Sequence, residues 1–334
     1  MNKVELRTPY LIFVGDESRL AYSKTGAGLV QWRRQICAGQ LRFEGGVDLG
    51  LRDMSIASAA EAGVGSLIIG TALVGGSIPE AWVSTLCEAA HHGLDVVAGL
   101  HSRLDGIDEL VAAAEKGNSR LVDVRVPPSK LPVGTGKKRS GKRLLTVGTD
   151  CALGKKYTTL QLEQDMRAAG LDVTFRATGQ TGIMIAGEGI PLDAVVADFV
   201  SGAAEALSPA NSEDHWDVIE GQGGIFHPGY GQVSHGLLIG SQPDTFVVCH
   251  AAGREFIEDW PHVRLPTIGD VIERTVAIGR LTNPNIRCVG ISVNTSALSA
   301  QQRESYLSEL GDRYQLPCFD PLIEGTSSVI GNLP

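Results

Sequence analysis

The chain has 334 residues, enough for two domains with separate cores, and its 43 % hydrophobic and 20 % charged content is that of a soluble globular protein. A net charge of −9 excludes a general electrostatic pull toward nucleic acid or an anionic membrane, while leaving room for a local basic pocket. Aromatics make only 5 % and glycines number 41, a balance that favours α/β architecture with many tight strand–helix turns.

Six cysteines, at 37, 87, 151, 249, 288 and 318, lack metal-type spacing and read as thiols mostly on strands; no metal is expected. The amino terminus, Met1-Asn2-Lys3-Val4-Glu5-Leu6-Arg7, carries charges where a secretory leader is apolar. No apolar run approaches the length that spans a bilayer, so a cytoplasmic protein is expected.

In chain order, residues 10–14, 66–69, 96–100 and 121–126 read as strands, and 80–91 and 107–115 as helices. Alternation of this kind argues a parallel sheet with helices on its faces. The stretch 127–142 holds three prolines, three glycines and a cluster of cations, with little to bury, and reads as a linker. Beyond it the pattern resumes, with strands expected at 144–147, 173–177, 194–199, 217–219, 246–249 and 289–293, and a short edge at 317–319. The expected organisation is a Rossmann-like α/β domain over 1–128, a linker over 129–142, and a P-loop NTPase-like parallel-sheet domain over 143–334.

The P-loop is the strongest motif. An apolar run, Leu144, Leu145 and Val147, leads into Gly148, Thr149, Asp150, Cys151, Ala152, Leu153, Gly154, Lys155, Lys156 and Tyr157, and helical spacing of Leu162, Met166 and Ala169 follows before Gly170. Backbone N–H groups and a lysine at a helix N-terminus cradle phosphate. The loop departs from the usual form twice: Gly148 sits one residue early, and Lys156 stands where Ser or Thr holds Mg²⁺. A second cation there suits phosphate neutralised without metal. Cys151 is read as small filler, with a nucleophilic role as the alternative.

Ligands of such sheets collect past the strands' carboxyl ends. The expected second strand of this domain ends Arg176-Ala177-Thr178-Gly179-Gln180, with Arg176 facing an anion or solvent. The expected third ends at Asp198, either a ligand-orienting or catalytic acid or a carboxylate satisfying free helix N–H groups. The fourth leads into Glu220-Gly221-Gln222-Gly223-Gly224-Ile225-Phe226-His227-Pro228, a glycine-rich segment that favours close approach to the backbone. Glu220 and His227 are its general-base candidates, against a plain loop with a satisfied histidine. The fifth ends with His250 and Arg254, which suit an anionic substrate or a structural role, and the sixth with Asn294, whose amide can read a purine edge. In the first domain the glycine pair Gly75-Gly76 and His101 also fall at strand ends, where an interdomain cleft is plausible.

Together these motifs resemble two groups. Gly148-Thr149-Asp150 with Gly154-Lys155, and Glu220-Gly221-Gln222-Gly223-Gly224, resemble the phosphate-site motifs of dethiobiotin synthetase over the second domain only, and Lys156 departs from its Gly-Lys-Thr ending. Over nearly the whole chain the sequence resembles the D-glutamate N-acetyltransferase family. The matching stretches are Gly75-Gly76 with Pro79 and Trp82, Gly99-Leu100-His101, the Gly148–Lys156 loop, Asp198 to Gly202, Glu220 to Gly223, and Phe226-His227-Pro228.

That resemblance implies acetyl transfer from acetyl-CoA to the amine of D-glutamate, with Lys155 and Lys156 neutralising CoA phosphates. It also implies Glu220 or His227 as base, and Arg176, Gln180, His101, His250 and Arg254 around the acceptor. The alternatives are an ATP- and Mg²⁺-dependent ligase or kinase and a non-catalytic nucleotide- or CoA-sensing module. Partners are expected to be small-molecule substrates and further copies of the chain in a homo-oligomer.

Overall fold

The computed structural model describes residues 4–71, 78–100 and 102–334; Gly75, Gly76 and His101 lie outside them. Contacts divide the chain into two units, Asn2–Pro127 with Gln180–Pro191, and Pro128–Gly179 with Leu192–Pro334.

The first unit is built on β1 (Tyr10–Gly15), α1 (Lys24–Arg33), β2 (Cys37–Arg42), α2 (Ile56–Glu61), β3 (Ser66–Ile69), α3 (Glu80–His91), β4 (Asp95–Ala98), α4 (Asp108–Gly117) and β5 (Leu121–Asp123). Its five strands run parallel in the order β2-β1-β3-β4-β5. All of β1 is buried, as befits a strand covered on both faces. Around it Leu11, Phe13, Leu67, Val96, Trp82 and Leu86 form the core. The edge strand β2 escaped sequence reading because it has no apolar run: in Cys-Ala-Gly-Gln-Leu-Arg only Gly39 and Gln40 are buried.

The second unit carries β6 (Lys142–Gly148), α5 (Lys155–Ala168), β7 (Val173–Arg176), then α6 (Gln180–Ala186), which packs in the first unit. There Thr25 Oγ1 and Thr181 Oγ1 lie 3.2 Å apart, and Gln180 abuts Gly99, where an added Cβ would meet its Oε1. The second unit resumes with α7 (Val200–Leu207), β8 (Trp216–Ile219), α8 (Gly231–Ser241), β9 (Thr245–Ala251), the antiparallel hairpin β10 (Phe256–Ile257) and β11 (Trp260–Arg264), α9 (Ile268–Gly279), β12 (Arg287–Asn294), α10 (Ala300–Tyr314), β13 (Cys318–Phe319) and α11 (Ser327–Ile330). Its parallel sheet has the order β13-β12-β9-β6-β8-β7. Register brings the carboxyl ends together: Arg176 pairs with Ile219, Gly148 with Cys249, and Asn294 with Ala251.

One expected strand is not a strand. Residues 192–194 and 197–199 form two 3₁₀ turns leading into α7, and the sheet ends at β7. The run Ala194-Val195-Val196-Ala197 looks apolar but is not core, since Val196 is 67 % exposed. Asp198 therefore sits exposed on a turn, not at the end of a buried strand.

Candidate active site

The apolar strand β6 delivers the chain to the loop, and Gly154, with φ +96°, opens α5 in a conformation that favours glycine. Helix first-turn N–H groups lack intrahelical partners. The N–H groups of Ala152, Leu153 and Gly154, in the loop just ahead of α5, show no acceptor among the described residues. Lys155 is buried, its Nζ donating to the Asp150 carbonyl at 2.7 Å, and burial lowers its pKa. The Lys156 ammonium lies 4.7 Å from the centre of the Tyr157 ring. Free backbone donors plus a buried lysine fit a phosphate.

Asp150 braces the loop from behind. Its Oδ1 accepts from Cys151 N at 2.6 Å, and its Oδ2 from Arg254 Nη1 at 3.0 Å and Glu258 N at 2.8 Å. Arg254 also donates to the Cys151 carbonyl at 2.9 Å and pairs with Glu258 at 2.7 Å. These bonds fit the structural alternative for Arg254, which ties the loop to the β10–β11 turn at Glu258.

Arg176 is held in the same way. Its Nε donates to Asp217 Oδ1 at 2.6 Å inside a buried network. Ser208 Oγ donates to Asp217 Oδ2, and Arg143 Nε donates to Ser208 Oγ. His250 is bracketed by Thr149 Oγ1 at 3.1 Å and Tyr306 OH at 3.1 Å; burial, then Arg254, pushes its pKa down to about 4, so it is neutral near neutral pH. Gln180 opens α6 in the first unit.

The segment after β8 runs along the loop. A Cβ on Gly221 would lie 1.8 Å from the Thr146 carbonyl, and one on Gly224 3.2 Å from Asp150 Cα, so both glycines permit close passage. Glu220 is buried, its Oε2 accepting from Thr178 N at 3.0 Å and Gly179 N at 3.1 Å. Burial raises its pKa above the ordinary carboxylate range, opposed first by Lys156 and then by those two N–H groups.

His227, 3 % exposed, differs. Its Nδ1 accepts from Gly229 N and Tyr230 N, both at 3.1 Å, and its ring stacks on Tyr230 with centroids 4.6 Å apart. Two donors at Nδ1 assign the ring proton to Nε2, which lies 3.8 Å from Asp150 Oδ1 without a hydrogen-bond partner. Burial lowers the His227 pKa, so the ring stays neutral. The acceptor nitrogen is thus already occupied, which argues against a base.

Asp150, Cys151 and His227 bring potential ligand atoms within 4.8 Å of one another. In the metal-free protein the ring presents an N–H to that cluster rather than a lone pair, and burial raises the Cys151 thiol. The raised thiol also favours the filler reading of Cys151 over the nucleophilic one.

Asn294, at the end of β12, is exposed; its Oδ1 accepts from Ser296 N at 3.0 Å. It borders a cleft of about 370 Å³ that begins at Gly154 and is lined also by Leu153, Tyr157, Leu322 and Ile323. Leu322 and Ile323 lie far along the chain, and sequence reading missed them; a lone Pro-Leu-Ile at the surface carries no motif.

A family model described as a domain of unknown function, DUF1611_C, P-loop domain matches residues 132–330, and the DUF1611_N Rossmann-like domain matches 40–127. A curated "D-glutamate N-acetyltransferase" of Pseudoalteromonas sp. is 45 % identical over 331 residues, 99 % of this chain and 100 % of that protein. One of the same name from Tritonibacter scottomollicae is 42 % identical over 329 residues, covering 98 % and 99 %. The crystal structure of a DUF1611 family protein from Anabaena variabilis superposes with a TM-score of 0.84 at 30 % identity, covering 98 % of this chain and 100 % of that one. Matched in both its Rossmann-like and P-loop parts and in relatives along almost its entire length, the chain belongs to the D-glutamate N-acetyltransferase (DUF1611) family.

Proposed function

We propose that the protein acetylates the amine of D-glutamate, with acetyl-CoA as the donor. The observation that carries the reaction is 45 % identity over 99 % of the chain to a D-glutamate N-acetyltransferase. The donor is supported by the loop's chemistry: unpaired N–H groups and Lys155 suit a diphosphate, and Lys156 replaces the hydroxyl that a metal–nucleotide site needs.

Acetyl-CoA supplies the activated thioester carbonyl. The chain's own groups must hold its phosphates, orient the acceptor and take a proton, because an amino-acid amine is largely protonated at neutral pH. Glu220 is the assigned base. Its raised pKa brings it toward the working pH, and its Oε2 is fixed by two backbone N–H groups. His227 is assigned a positioning role: its ring ties the Gly229–Tyr230 turn, and Nε2–H faces the Asp150 carboxylate that braces the loop.

The test is thiol release from acetyl-CoA across D- and L-amino acids. D-glutamate is expected to be the best acceptor, with D-glutamine and D-alanine much poorer. Equal rates with neutral amino acids, or efficient Mg²⁺-dependent ATP turnover in place of acetyl transfer, would overturn the reading.

A further inference from the structure

We propose that the cleft beside the start of α5 holds the adenine ring of the donor. The proposal rests on the reading of the donor as acetyl-CoA. At about 370 Å³ the cleft falls within the usual span of ligand sites, roughly 300–1,000 Å³. It opens at Gly154, so a group seated in it is continuous with phosphates on the loop.

Its outer lip is built to hold aliphatic side chains in water. Leu322 is 54 % and Ile323 56 % exposed, on a loop pinned through Asp320. Asp320 Oδ1 accepts from Leu322 N at 3.1 Å, and Oδ2 from Thr295 N at 3.0 Å and Thr295 Oγ1 at 2.6 Å. Glu324 Oε2 accepts from Asp320 N at 2.9 Å. A tied loop that presents two large aliphatics to a cleft lined also by Leu153 and Tyr157 suits a flat apolar ring.

The polar groups narrow the class. No lysine or arginine lines the cleft, and Asp320 does, so a further phosphate or carboxylate is disfavoured there. The Thr158 and Ser292 hydroxyls are 2.8 Å apart and bonded to each other. Asn294 Oδ1 is taken by Ser296 N–H, which leaves the Asn294 amide N–H groups as donors for a ring-nitrogen acceptor. A neutral purine meets these demands.

The test compares ADP with inorganic diphosphate, each by calorimetry and as a competitor of acetyl-CoA in the transfer assay. ADP should bind at least about tenfold more tightly than diphosphate, the surplus being adenosine. Leu322→Asp, at an exposed position, and Asn294→Asp should each weaken ADP and acetyl-CoA by about tenfold, about 1.4 kcal/mol, without altering diphosphate binding. ADP no tighter than diphosphate, or unaffected by both substitutions, would overturn the adenine assignment while acetyl transfer to D-glutamate still stands. ADP bound with the expected variant sensitivity, but without acetyl transfer or competition by acetyl-CoA, would keep the cleft as an adenine site and remove the donor reading instead.

Discussion

At the amino end of β8 the Asp217 carboxylate meets Arg176 Nε at 2.6 Å and Ser208 Oγ at 2.6 Å, with His215 Nε2 at 3.3 Å. Just past the carboxyl end of the same strand, Glu220 is also buried, and among the described residues its Oε2 accepts from two backbone N–H groups. The first carboxylate is paired with a cation and hydrogen-bonded on both oxygens, which is what a buried charge needs for stability. Burial holds the pKa of the second high. On the proposed assignment, the carboxylate within β8 serves the architecture and the one just past its end serves proton transfer.

The sharpest way to break this contrast is Glu220→Gln. The amide oxygen can still accept from Thr178 and Gly179, but it cannot take a proton, so kcat should fall by about 10²–10⁴ with acetyl-CoA affinity nearly kept. Stability should move the other way. With a raised folded pKa, the contribution of Glu220 is full below the ordinary carboxylate pKa and is lost as pH rises through the folded value. Removing the charge should therefore leave the melting temperature near neutral pH equal to or above that of the unmodified protein. Near-normal kcat, or clear destabilisation, would erase the distinction between the two carboxylates.

Asp217→Asn is the converse experiment. It leaves the Arg176 guanidinium without its carboxylate in a buried site and should cost about 3–5 kcal/mol. Urea unfolding should show the loss as a lower midpoint, with kcat per folded molecule little changed. An unshifted midpoint, or a selective loss of turnover, would move Asp217 into the functional class.

The smallest effect concerns His250, which is bracketed like Asp217 but by neutral hydroxyls. Its folded pKa of about 4 lies below the ordinary 6.5, so the unfolded chain binds the proton more readily between those values. Stability from this group is present above that window and is lost as pH falls through it. His250→Gln should flatten the stability profile between about pH 6.5 and 4. A profile identical to that of the unmodified protein would show that burial and Arg254 do not hold the ring neutral.

The parts of the site that sequence made legible are the local ones. Strand β6, the glycine-lysine turn and α5 declare themselves within a few residues, through an apolar run and a glycine at the helix start. The glycine-rich segment after β8 does the same, and it carries Glu220, one of the two base candidates, into a buried position beside the loop. The two arginines did not declare theirs. Arg176 finds its carboxylate 41 positions away and Arg254 finds Asp150 at a separation of 104, distances over which a single sequence carries no pairing signal. His227 was visible as a candidate, but the two N–H groups that fix its tautomer exist only once the turn at Gly229 and Tyr230 has formed.

Helix α6 carries a consequence for the gene. Its residues lie in the carboxy-terminal half of the sequence, while its buried Ile183, Met184 and Ile185 belong to the unit formed by the amino-terminal half. A break at the 129–142 segment would thus not yield two self-sufficient products. One fragment would be missing a helix, and the other would carry that helix as an unsatisfied apolar insertion. Fission at the segment whose composition most invites it would therefore cut across a packed unit rather than between two.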